Sequence, residues 1–391
     1  MLWLRFFCTV SSAHAFFRFL SDLDVSASVG SDGLSAQSKC AQAPGLSQPQ
    51  KLLCQRHPEL MAAVQRGVAD GVKACQTAFL HERWNCSSRP EAASAVLASG
   101  SRETAYMHAI SSAGVVAAVA KSCAAGQHRS CSCGRTRTGS AKGPNGEVFT
   151  WGGCSDNLRY GAAFARKLLD GRQRSSGSSP LSPMHLHNNR VGRKLVKRLS
   201  GLACKCHGVS GACTTRTCWK TAPSLATVAQ ALHDKYQTAQ QVKIAEGKRL
   251  VPANAESLTY RDAPKSSRHA FRLKHKKQTG GVKGVSLVYL EPSPDYCVAD
   301  AGRGSLGTGG RLCNRTSTGP DSCDLLCCGR GYTTTHQIRT TQCQCKFVWC
   351  CEVVCKECSE VVEVNRCRGG PGHHQPSLAQ HAYSSSVAIR F

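Results

Sequence analysis

The chain has 391 residues, 25 of them Cys, and its 50 Lys+Arg against 24 Asp+Glu give a formal net charge of +26. With 41% hydrophobic and 19% charged residues it has a globular composition, which excludes global disorder and leaves room for one large domain or two ordinary ones. So many thiols point to an oxidising compartment, and twelve of them crowd into the 71 residues from Cys297 to Cys367, the density of a disulfide scaffold.

The N-terminus carries a short apolar stretch, Phe6 to Val10, then the small-x-small triplet Ala13-His14-Ala15. This is the pattern of a secretory signal over 1–15, although Arg5 interrupts its apolar part. Removing Cys8 with it leaves 24 Cys, an even number, as full pairing requires. Sequons at Asn85-Cys86-Ser87 and Asn314-Arg315-Thr316 make Asn85 and Asn314 candidate glycosylation sites. The best apolar run, Ala109 to Ala120, reads as too short for a bilayer, so no transmembrane segment is expected.

After a leader spacer over 16–39, helical periodicity governs a first domain over 40–261. From Pro58, the apolar positions Leu60, Val64, Val68, Val72, Cys75 and Phe79 step by four and three along one helical face. A second helix is predicted from about Arg102 to Lys121 with Ser101 as its N-cap. Residues 136–150, rich in Gly, Thr and Lys, read as loop. A third helix carries Leu158, Ala162, Ala165 and Leu169, with Gly171 as a stop. Past the flexible stretch 174–180, a fourth carries Val191, Leu195, Leu199 and Leu202. A fifth carries Leu225, Val228, Leu232, Tyr236 and Ala239. No acidic residue occurs from Ala263 to Leu290, and 262–287 reads as a basic linker. A cysteine-rich domain is predicted over 288–367, and 368–391 as a disordered tail.

Cross-strand partners in an antiparallel hairpin share a constant index sum. Cys343 with Cys358 gives 701, Cys345 with Cys355 gives 700, and Cys350 with Cys351 gives 701, so three bridges fit one hairpin with a single-residue slip that a bulge would absorb. Its tip, Phe347-Val348-Trp349, is an apolar run with no evident core behind it, the mark of an interaction site. A second hairpin nests Cys206–Cys213 inside Cys204–Cys218 and puts Ser210 in the middle of a six-residue loop, presented to a partner.

Three chemistries compete for these residues. Zinc lacks repeated C-x-x-C pairs at finger or ribbon spacing. A serine hydrolase lacks the Gly two residues after Ser210, where Ala212 stands, and no acidic group lies close to orient His207. The charge suits a polyanion, but no nucleic-acid motif accompanies it. In an exported chain the polyanion is glycosaminoglycan, with Lys265, Arg268, Arg272, Lys274, Lys276 and Lys277 as the candidate contacts.

Four stretches carry a resemblance. They are Cys204-Lys-Cys-His-Gly-Val-Ser-Gly-Ala-Cys-Thr-Thr-Arg-Thr-Cys-Trp219, Trp84-Asn-Cys-Ser87, Trp151-Gly-Gly-Cys-Ser-Asp-Asn157 and Asp324-Leu-Leu-Cys-Cys-Gly-Arg-Gly-Tyr332. From about Cys40 to Cys367 the chain resembles the Wnt secreted signalling proteins. Asn314 to Cys323, and Val191-Gly-Arg-Lys194, are most similar to the Wnt eleven subfamily.

The resemblance implies an α+β, two-domain hand: a helical N-terminal domain with a lipid-bearing thumb hairpin at 204–218, and a small β-hairpin domain with a finger at 343–358. It implies a ligand, not an enzyme, with no cofactor or metal. Porcupine would place a palmitoleate ester on Ser210, and Wntless would escort the product to the cell surface. The lipid with Val209, and the tip residues Phe347, Val348, Trp349, Cys350 and Cys351, would grip the cysteine-rich domain of a Frizzled receptor alongside co-receptors. Heparan sulfate and the extracellular matrix complete the expected partners, with a lean towards polarity output. A disulfide-rich matrix protein without receptor activation is the alternative. The family pattern also pairs Cys40 with Cys54, Cys75 with Cys86, Cys123 with Cys131, Cys133 with Cys154, Cys297 with Cys328, Cys313 with Cys323 and Cys327 with Cys367. This chain departs from the pattern in Ala212 for a usual Ser, Glu352 for a usual aromatic, a longer basic linker and the extra tail.

Overall fold

The computed structural model describes residues 36–43, 46–86, 90–135, 138–143, 146–174, 179–253, 284–349 and 352–369. The expected signal, the tail beyond 369, the cluster from Lys265 to Lys277, and Cys350 and Cys351 lie outside the described residues. The chain divides into two compact units, the first holding most residues up to Pro294 and the second those from Asp295, apart from short exchanges at 81–83 and 300–305.

The first unit is a helical bundle with two small sheets. Its helices are α1 (Ala36–Gln42), α2 (Gln48–Arg56), α3 (Met61–Ala78), α4 (Pro90–Ala98), α5 (Arg102–Ala124), α6 (Leu158–Arg174), α7 (Ser182–Arg198) and α8 (Leu225–Gln237). The predicted face from Leu60 to Phe79 is the buried one, with Val72 half-buried. Ser101 caps α5, its Oγ accepting from the Thr104 N–H at 3.4 Å. Three helices differ from expectation. Helix α6 runs through Gly171 to Arg174, because Gly171 lies beside Gln50 of α2 and that packing offsets its low propensity. Helix α7 stops at Arg198, short of Leu199, and α8 at Gln237, short of Ala239. The short helices α1, α2 and α4 carry too few periodic positions to be read from the sequence.

Helix α5 is the axis of the bundle. By length and composition it is long and apolar enough to cross a membrane, longer than its central apolar run implies, yet 83% of its most apolar window is buried within the fold. Helices α3, α6, α7 and α8 all pack on it. Three glycine contacts bring the backbones together. A Cβ on Gly67 of α3 would sit 2.5 Å from the Gly114 carbonyl oxygen of α5. One on Gly161 of α6 would sit 2.6 Å from the Val116 oxygen, and one on Gly192 of α7 2.7 Å from the Ala109 carbonyl carbon. Above them Phe79 makes edge-to-face contacts with Trp84, Tyr106, His233 and Tyr236 at 4.7–4.9 Å.

A buried polar network joins α6 to α7. Arg193 donates to both oxygens of the Asp170 carboxylate at 3.0 and 2.8 Å, and Asn189 donates to it at 3.1 Å. Nearby, the His108 and His185 rings stack at 4.0 Å. Burial pushes His108 down to about 4, partly offset by Asn189, and pushes His185 well below its ordinary value, with the His108 charge adding to the effect. Both imidazoles are therefore neutral in the fold and take up protons on unfolding. For His108 the contribution is complete above the ordinary value of 6.5 and lost as pH falls from there towards about 4, and His185 acts in the same direction. In that window His108 lowers stability by about 1.4 kcal/mol per pH unit. We expect the thermal midpoint of the purified protein to fall between pH 7 and pH 5, and His108→Gln to flatten that dependence; an unchanged slope would show that the pair does not govern it.

Two small sheets complete the first unit. Strands β1 (Ser140–Lys142) and β2 (Val148–Trp151) form a hairpin inside the stretch expected to be loop. The alternation of Phe149 with Trp151 is the strand signal there, Phe149 pointing into the core. Strands β3 (Gly201–Cys206), which takes up Leu202, and β4 (Arg216–Thr221) complete a four-stranded sheet in the order β1-β2-β4-β3. A second sheet joins β5 (Gln240–Ala245) to β6 (Arg249–Pro252) and to β7 (Val288–Tyr289). Val288 is buried against Met184 and Val242, and Asn188 clamps its N–H and C=O at 3.1 and 2.9 Å. Residues 288–294 therefore stay with the first unit, and the boundary expected at 288 moves to 295.

The second unit has little apolar core. Cys323, Leu326, Cys327 and Cys367 cluster, with Cys313 and Tyr332 packed against them. From this knot a long ribbon extends, β9 (Tyr332–Val348) against β10 (Glu352–Cys367), with β8 (Leu312–Cys313) on its inner edge. Seventeen residues of strand span about 55 Å.

Candidate functional site: an exposed serine on a twice-bridged hairpin and an apolar fingertip

Strands β3 and β4 pair in register from Gly201↔Thr221 to Cys206↔Arg216, with Cys204 directly opposite Cys218. The bridges are Cys204–Cys218 and Cys206–Cys213, nested as the spacing predicts. Above them His207 N–H donates to Thr215 O and Gly208 N–H to Ala212 O, both at 2.7 Å. Gly208 has no substitute, since its Cβ would meet the Ala212 oxygen and stand 2.5 Å from Thr214 Oγ1. The chain then makes one 3-10 turn, Val209–Gly211, in which Ser210 has φ 55° and ψ 28°. A left-handed Ser costs on the order of 1 kcal/mol and persists because the surrounding turn fixes it. Ser210 is exposed and Val209 is 90% exposed.

The base of this hairpin is held by the Trp151–Asn157 stretch. Thr150 and Trp151 pair in parallel with Thr217 and Cys218, and Gly152 N–H donates to Cys218 O. Gly153, at φ +70°, lets the Trp219 ring approach to 3.1 Å of where a Cβ would stand. Ser155 Oγ accepts from Lys220 N–H at 3.1 Å, and the Asp156 carboxylate from Ala222 N–H at 2.7 Å. Asn157 closes the segment, donating to Ser132 O at 2.9 Å and accepting from Tyr160 N–H at 3.1 Å. That motif is a docking cradle for β4.

The finger is the antiparallel hairpin that the cysteine sums predict, but Cys343 faces Lys356 and not Cys358, so its outer register has a sum of 699 rather than 701. Its register holds from Tyr332↔Cys367 to Cys343↔Lys356, then slips by one at a bulge before Lys346↔Val354. Gln344, at φ 49°, sits in that bulge. Cys345–Cys355 and Cys343–Cys358 are bridged, the latter diagonally across the ladder. The strands run well beyond the predicted 343–358. At the tip Phe347 and Val348 are exposed, and Trp349 is 92% exposed.

The other seven pairings implied by the resemblance, from Cys40–Cys54 to Cys327–Cys367, are all present. Sulfurs of Cys313, Cys327 and Cys367 lie within 4.8 Å of one another, a metal-like grouping, but each is already half of a disulfide and offers no thiolate. His207 Nε2 lies 2.7 Å from Thr217 Oγ1. Asn314 is exposed, its Oδ1 accepting from Thr316 N–H and Oγ1 at 3.0 and 2.9 Å. Asn85 is half-buried between Trp84 and Cys86, and Ser87 lies outside the described residues.

The chain matches the wnt family over residues 42–368. Among solved structures it is similar to a chain of the complex of human WLS with WNT8A, with a TM-score of 0.53 and 30% identity over 79% of this chain and 94% of that one. It also matches the Drosophila WntD N-terminal domain-linker, at 23% identity and a TM-score of 0.39, over 61% of this chain and 98% of that one. A match along most of the length, a two-unit α+β fold and a disulfide framework agree, and the chain belongs to the Wnt family of secreted signalling ligands.

Proposed function

We propose that this chain is a lipid-modified ligand that binds the cysteine-rich domain of Frizzled receptors and activates Wnt signalling. The observation that carries the reading is Ser210, a hydroxyl exposed at the tip of a hairpin closed by two bridges. Such a hydroxyl is open to acylation, here by Porcupine with palmitoleate, and the loop beneath it is too constrained to fold back. WNT8A assembles with WLS, and the 30% identity supports Wntless as escort for this chain. The similarity of 314–323 to the Wnt eleven subfamily supports a polarity output. N-glycans on Asn85 and Asn314, and heparan sulfate on Lys265 to Lys277, belong to the same reading.

The test is mass spectrometry of the peptide spanning Cys206 to Cys213 from protein secreted by animal cells. A hydroxylamine-labile acyl ester on Ser210 is expected. Unmodified Ser210 on well-secreted protein would overturn the mechanism and favour the matrix-binding alternative.

The fingertip supplies the second contact. Trp349 touches so little of its own fold that Trp349→Ala should leave the thermal midpoint unchanged. Aromatic anchors of this kind carry about 2 kcal/mol or more of binding, so receptor affinity should fall roughly thirtyfold. Titration of the variant against a Frizzled cysteine-rich domain reads this directly, and undiminished affinity would remove the fingertip from the interface.

A further inference from the structure

Helices α6 and α7 enclose a groove of about 960 Å³. Along its α6 wall Arg159, Arg166 and Arg174 recur at helical spacing, and along its α7 wall Arg190, Lys194 and Lys197 do the same. The turn between β5 and β6 adds Lys248 and Arg249. Among the described residues the lining holds one carboxylate, Asp170, whose oxygens are engaged by Arg193 and Arg174 in the groove itself. The remaining positive charge is thus unbalanced within the groove. His187 on the same wall feels it: burial lowers its pKa, a hydrogen bond to the Ser286 carbonyl offsets this in part, and the Arg190 and Lys194 charges lower it further.

We propose that this groove is a binding site for a linear sulfated polysaccharide, separate from the basic segment at 265–277. The inference rests on the reading of the chain as extracellular. The α6 stripe from Arg159 to Arg174 is about 22 Å long, more than a small anion needs and suited to charges repeated along a chain. A membrane surface would require an apolar face to enter the lipid, and the apolar lining here is Ala162, Ala163, Leu186 and Leu250, with Pro183 at one end. Single-stranded nucleic acid stacks its bases on aromatic rings, and among the described residues the lining contains no Phe, Tyr or Trp.

The test uses the full secreted chain on immobilised heparin across a salt series. Arg159, Arg166, Arg190 and Lys197 are changed together to Gln. A control changes the exposed Arg66, Lys73, Lys121 and Arg129 in the same unit, and a third protein changes Lys265, Arg268, Arg272 and Lys274. The groove variant should bind at least about tenfold more weakly near physiological salt with a shallower salt slope, and the control should stay near wild type. Equal loss in the control would reduce the effect to net charge and overturn the site. So would an unchanged groove variant, or loss confined to the 265–274 variant. A loss of binding to phosphatidylserine vesicles without a loss on heparin would make the groove a lipid site instead. If the fourfold variant is not secreted, the pair Arg166→Gln and Arg190→Gln carries the same comparison. Ser210→Ala is measured alongside: heparin binding unchanged with signalling lost would separate this site from the acyl mechanism, so either can fail alone.

Discussion

Ser210→Ala is expected to fold with a thermal midpoint close to that of the parent and to lose receptor activation by at least about a hundredfold. The side chain is exposed at a loop tip, and Ala meets the same left-handed backbone as Ser, so the stability change is within about 0.5 kcal/mol. With Ser210 acylated as proposed, the functional loss comes from the missing chain. Burying acyl methylenes contributes about 0.8 kcal/mol each, on the order of 10 kcal/mol gross for a long chain, before ordering and association costs are deducted. Even a third of that is more than a hundredfold in affinity. A dose-response curve on receptor-bearing cells, with the variant refolded or forced into the medium at matched concentration, decides the matter. Parental potency would show that the thumb acts without lipid.

Gly114→Ala should be among the most damaging single methyls in the described residues, alongside Gly192→Ala. The added Cβ would fall on the Gly67 carbonyl oxygen and 2.8 Å from its carbon, a collision of backbone with backbone that no rotamer relieves. Helices α3 and α5 would have to part, opening the contacts around Ile110 and Val115, for a loss of about 3 kcal/mol or more. Gly171→Ala is the matched comparison, since its Cβ would rest 3.7 Å from Gln50 Cγ in ordinary contact. That change should be neutral or stabilising by about 0.5–1 kcal/mol. Secreted yield and melting midpoint distinguish the two; similar behaviour of both variants would mean that α3 and α5 are not packed this closely.

Much of the architecture was legible from residue spacing. The steps of four and three from Leu60 to Phe79 name a buried face because the α-helix repeats every 3.6 residues. The near-palindrome of cysteines names the finger because an antiparallel ladder conserves the index sum. Ser210 could be placed at a loop tip from two nested pairs alone. What stayed hidden depended on contacts distant in sequence. The hairpin at 140–151 is stabilised through β4, some 70 residues on, and its Gly and Lys content disguises it locally. The domain boundary was misplaced because β7 belongs to a sheet whose other strands precede the basic segment. The α6–α7 groove was invisible because its cations are spread over some 90 residues and meet only when the helices pack.

The glycine contacts of α5 bear on export as well as on packing. A nascent chain crossing a membrane offers each apolar stretch to the lipid before any bundle exists to receive it, and this helix is by length and composition able to span one. Ser111, Ser112 and Gly114, which the bundle needs small, are also the residues that dilute that stretch. Substituting Leu or Val there would therefore do two kinds of harm at once, removing the fit between helices and tipping the segment towards retention in the bilayer it must pass.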